Sequence, residues 1–129
     1  MRSPSADELL MEAKADESAA KCGMYLIHNG TVRIDPKAKV RMGEPDDRQV
    51  TGMDFSYNED KVNTAIAKTY LMPGIYYVKV WLNRGRLKCG DDIMYVLIGG
   101  DIRPHVIDAL QSLVDEIKNN CVEETEMFD

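Results

Sequence analysis

Six apolar residues in succession, Ile93 to Ile98, make the longest such run in the chain. The run falls far short of the about 20 residues that span a bilayer, and its length suits a strand. With no polar position left for a wet face, that strand must be covered on both sides. A helical pattern follows it. Val106, Ile107, Leu110, Leu113, Val114 and Ile117 recur at three- and four-residue steps and predict one apolar face. Asp101 stands as its N-cap, Pro104 is tolerated in the first turn, and Asn119-Asn120 ends the helix.

The rest of the chain alternates in the same way. Ser5 and Glu8 have capping-box spacing and predict a helix over residues 5–20. Residues 23–34 read as extended, with a turn or bulge at Asn29-Gly30. Residues 35–48 hold two prolines, one glycine and eight charged residues, and read as a loop. Gln49 to Tyr57 predicts a strand, and Asn58 caps a helix carrying Val62, Ile66, Thr69 and Tyr70 that Pro73-Gly74 stops. Ile75 to Leu82 is a further strand, followed by a turn at Lys88-Cys89-Gly90-Asp91. The fold class is therefore α+β, with a mixed, largely antiparallel sheet and flanking helices. At 129 residues this is one domain, 1–129, with an N-terminal helical segment (1–21), a basic loop (35–48) and an acidic tail (121–129).

Charge narrows the function. The net charge is -6, which excludes a general nucleic-acid binder. The acidity sits at the ends: residues 115–129 hold six acids and one base, whereas residues 22–114 hold eleven acids and twelve bases. Arg33, Lys37, Lys39, Arg41 and Arg48 form a basic stretch that either faces an anionic ligand or is a solvated loop, poorly ordered without ligand. Neither a spanning segment nor a signal core is expected, so the chain reads as cytoplasmic, with no membrane contact. Cys22, Cys89 and Cys121 are odd in number and far apart, which predicts reduced thiols rather than disulfides or a zinc site.

Dinucleotide, P-loop, zinc-protease and nucleophile-elbow motifs are missing, and His28 and His105 are the only histidines. No metal site or cofactor is expected. Lys118 stands out because it falls near the side of the last helix that carries Ile107 and Val114. There it is either a partly desolvated amine fit for proton transfer or a lysine snorkelling at a helix C-terminus.

Four stretches in order resemble the large (catalytic) subunit of molybdopterin synthase. They are Gly30-Thr31-Val32-Arg33 after an apolar strand; Met53 to Tyr57 before a helix; Gly85-Arg86-Leu87 with Gly90-Asp91-Asp92 before an apolar strand; and Arg103 opening a long helix that bears Lys118. The resemblance spans residues 23–120 and implies an α/β-hammerhead-type fold. It implies sulfur transfer from a ubiquitin-like small subunit, whose C-terminal Gly-Gly carries a thiocarboxylate, to cyclic pyranopterin monophosphate, giving molybdopterin. It further implies Lys118 as the catalytic lysine, Arg33 and Arg103 as binders of the pterin phosphate, and a homodimer. Ile102 stands where the family has His, and Thr125 where it has a second active-site lysine. The alternative is a non-catalytic homologue that binds a ubiquitin-like partner or an anionic ligand.

Overall fold

In the computed structural model, which describes residues 2–128, the apolar run is the middle of a sheet. Strand β5 (Asp92–Gly100) lies between β1 (Met24–Thr31) and β3 (Ile75–Leu82), antiparallel to both. Both faces of β5 are covered. Met94, Val96 and Ile98 enter the main core with Val106, Leu113 and Ile117. On the opposite face, Leu97 packs with Leu9 and Ala13 of helix α1 (Ala6–Ala15). The alternation of a strand sends successive side chains to opposite faces, so an unbroken apolar run needs two separate covers.

A second antiparallel sheet has β2 (Val50–Tyr57) at its centre, between β4 (Gly85–Lys88) and β6 (Val122–Phe128). Helix α3 (Glu59–Tyr70) follows β2, with Asn58 capping it by accepting from Lys61 N at 3.0 Å. Gly74 turns the chain into β3 at φ +75°, where a Cβ would collide with the Asp101 carboxylate. Helix α4 (Arg103–Glu116) packs over β5 and β1 and ends in a π-helical turn, Ile117–Cys121. No helix among the described residues is long and apolar enough to cross a membrane.

Several expectations need correction. The acidic tail, apart from Cys121 in the π-helical turn and Asp129, which lies outside the described residues, is strand β6. Its charges concealed it, because an edge strand tolerates acids on its wet face and is held by backbone pairing with β2. The basic loop contains a six-residue helix, α2 (Lys37–Met42), closed by Gly43 at φ +66°. The first helix stops at Ala15, because the Asp16 carboxylate accepts from Ser18 N at 3.0 Å and starts a 3₁₀ turn, Glu17–Lys21. The N-cap of α4 is Ile102, not Asp101. Asp101 instead accepts from Ile102 N at 2.6 Å and lies 2.7 Å from His105 Nδ1, which holds its carboxyl below the usual range. Ile107 is 43% exposed and lies outside the apolar face assigned to it.

Candidate functional site

A cleft of about 550 Å³ opens between the two sheets, bounded by the ends of β1 and α4 and by the inner side of β6. Its first wall comes from β1. The strand carries His28 and Gly30 toward the cleft, then shifts register between Gly30 and Thr31, where the partners pass from Met94 to Asp92. Val32 is 3% exposed and tied by backbone bonds to Asp91 and Gly90. With Val32 fixed in the core, Arg33 next to it, just past the end of β1, is exposed and lines the cleft.

The second wall is the end of α4. Val114 and Lys118, four residues apart, both line the cleft, as the helical phase predicts. Lys118 sits in the π turn, whose flanks Ile117 and Cys121 are 0% and 4% exposed. Cys121 O also accepts from Asn58 N at 2.8 Å. The turn is pinned at both ends, so the lysine between them has a fixed root.

The third wall is β6. Glu124 and Glu126 face the cleft, and Thr125 between them is exposed on the other side of the strand. Lys118 Nζ donates to Glu124 Oε1 at 2.5 Å. Glu126 accepts from Lys37 N through both oxygens, at 3.0 and 3.1 Å, and so ties the basic helix α2 to the cleft rim. Lys37 and Arg41 of that helix complete the cationic lining, with Asp115 as a third acid. Burial, and after it the Lys118 charge, lower the pKa of His28 from its ordinary value, so its imidazole is neutral near pH 7.

The structure thus brings Lys118 and Arg33 to one cleft and leaves Arg103 out of it. Arg103 is exposed at the first turn of α4, roughly 20 Å along the helix axis from Lys118. Ile102 beside it is 51% exposed, and His105 is engaged by Asp101. Thr125 is also misplaced as the site of a missing cleft amine, because a lysine there would leave the strand on the face away from the cleft. The residues that sequence reasoning missed are His28, Glu124 and Glu126. For the two glutamates the signal was the period of two: Val122, Glu124, Glu126 and Phe128 share the half-buried face of β6.

The cleft joins the cationic side chains of Lys118 and Arg33, a basic helix at its mouth, and apolar floor residues such as Met53 and Ile93. That arrangement suits a small anionic ligand with a flat apolar body. The family model described as MoaE protein matches residues 4–120. The fold is similar to the crystal structure of molybdopterin synthase from Staphylococcus aureus, with TM-score 0.74 and 15% identity, covering 98% of this chain and 87% of that one. It is similar also to the molybdopterin biosynthesis MoaE protein from Burkholderia ambifaria MC40-6, with TM-score 0.74 and 18% identity over 99% and 84% of the two chains. A third similar structure is the complex of subunits 1 and 2 of molybdopterin-converting factor from Helicobacter pylori 26695, with TM-score 0.68 and 18% identity over 97% and 80%. No curated protein matches the chain.

Proposed function

The chain belongs to the MoaE protein family, a family of molybdenum cofactor biosynthesis, and on that premise we propose that it is the sulfur-transferring large subunit of a molybdopterin synthase. The convergence of Lys118 and Arg33 on one cleft is the observation that carries this reading. Arg33 offers a planar, two-pronged donor for the phosphate of cyclic pyranopterin monophosphate. The pterin rings lie against the apolar floor. The thiocarboxylated C-terminus of a ubiquitin-like small subunit reaches Lys118, whose amine stabilises charge and relays a proton as sulfur passes to the pterin. Each transfer makes one carbon–sulfur bond as the same pterin side-chain carbon gives up a carbon–oxygen bond, and it leaves the small subunit with an ordinary C-terminal carboxylate once water has cleaved the acyl–sulfur bond. Two small-subunit molecules supply the two sulfurs of one product. The partner is supported by the Helicobacter pylori relative, which is a complex of two subunits. Cytoplasmic action is supported by the three free cysteines.

Arg103 has a role only if a second copy of the chain brings it, because its own helix holds it roughly 20 Å from Lys118. We therefore keep the homodimer as part of the proposal. Light scattering at micromolar concentration should return the mass of two chains, and a monomer there would remove Arg103 from the site. The role of Arg33 has its own test. Arg33→Ala should weaken pterin binding by about 1.5–3 kcal/mol, the worth of one charge-assisted contact, seen as a raised KM with little change in kcat. An unchanged KM would show that the phosphate is held elsewhere. The function as a whole is tested by supplying the thiocarboxylated small subunit and the precursor pterin and assaying dithiolene product.

A further inference from the structure

Lys118 and Glu124 form the most enclosed ion pair among the described residues, with side chains 19% and 16% exposed. Charge-assisted hydrogen bonds with this little water around them are stronger than surface pairs. The sulfur-transfer reading gives Lys118 an incoming anion as its partner, yet the chain's own Glu124 already supplies one. Glu124 cannot withdraw with its backbone, because β6 pairs with β2 on both sides of it, from Tyr57–Val122 to Met53–Glu126. Its side chain can rotate while the strand stays in register. Glu126 is committed differently, to the backbone NH of Lys37, and Asp115 has no bond to the amine.

We propose that Glu124 is the internal counter-ion of Lys118, a positioning residue that holds the amine in the cleft and gives way to the anionic group of a ligand. That group is a phosphate or a peptide C-terminal carboxylate. The exchange makes the cleft selective. A lone small anion gains little by replacing one carboxylate with another, whereas a ligand held at a second point, such as Arg33, brings the extra binding that drives the exchange. This inference rests on the reading that Lys118 meets the ligand, and its test needs no synthase turnover.

The test compares Glu124→Gln with Glu126→Gln, which removes the same charge from the same cleft, and with Glu123→Gln on the exposed face as a control. Glutamine at 124 keeps the shape and an acceptor oxygen, so folding is preserved. Two quantities are read on the full chain: the rate at which acetic anhydride labels Lys118, located by mass spectrometry, and the affinities of inorganic phosphate and of a Gly-Gly-ending peptide. Glu124→Gln should raise the labelling rate and the affinity of at least one probe by about tenfold, the effect of freeing one charge-assisted bond. Glu126→Gln and Glu123→Gln should leave the labelling rate near wild type. A gain confined to phosphate assigns Lys118 to the phosphate, and a gain confined to the peptide assigns it to the tail. Unchanged labelling, no gain for either probe, or an equal effect from Glu126→Gln would overturn the proposal while leaving sulfur transfer standing.

Discussion

Lys118→Ala should lower dithiolene formation by about 10³-fold, the range lost with a group that moves a proton in the transition state. Its thermal midpoint should stay close to wild type. Lys118 itself fills no core space, and the Glu124 side chain, 16% exposed beside its partner, can rotate toward the cleft opening once the amine is gone. Lys118→Arg makes the sharper comparison. The guanidinium can keep the bond to Glu124 and the local charge, but it stays protonated and cannot relay a proton near neutral pH. Its activity should therefore fall nearly as far as that of Lys118→Ala. Turnover by Lys118→Arg within a few-fold of wild type would reduce the lysine to a fixed positive charge, and wild-type turnover by Lys118→Ala would remove it from the chemistry.

The second large effect is on stability. Ile117 is 0% exposed and joins Val96, Val106 and Leu113 in the main core, at the start of the turn that carries Lys118. Ile117→Ala should cost about 2–5 kcal/mol, the sum of lost burial and the cavity left behind. For a chain of this size that is a fall in thermal midpoint on the order of 10 °C. Activity measured well below the midpoint should fall as well, because the root of Lys118 loosens with the cavity. A change in denaturation midpoint corresponding to less than half a kilocalorie would place Ile117 outside the core.

The layered α+β architecture was legible because its strongest elements announce themselves by period. The apolar run at 93–98 and the stripe on α4 need no tertiary context to be read, and apart from Ile107 both are where the sequence puts them. Lys118 was legible through the helical phase it shares with Val114, and Arg33 through the basic stretch it opens and the resemblance carried by Gly30-Thr31-Val32-Arg33. Strand β6 was not legible, since its stability comes from pairing with β2, some 70 residues away, and not from its own acidic residues. Missing that strand also hid Glu124 and Glu126, which enter the cleft only because the tail is extended. The same error put a cleft role on Thr125, whose side of the strand cannot be known before the strand is. Arg103 is a different case. Its motif is present, but a helix keeps it distant from Lys118, and only a second chain could bring the two together.

The central claim is that this cleft moves sulfur from a ubiquitin-like protein to a pterin. The most direct measurement is mass spectrometry of the small subunit's C-terminus after incubation with the wild-type chain, with and without cyclic pyranopterin monophosphate, alongside an assay for dithiolene. The account predicts that the thiocarboxylate becomes a carboxylate only when wild-type chain and pterin are both present, that dithiolene appears in step with it, and that Lys118→Ala leaves the thiocarboxylate intact. A thiocarboxylate that persists with the wild-type chain, although the small subunit binds, would contradict the account and make this chain a binding module.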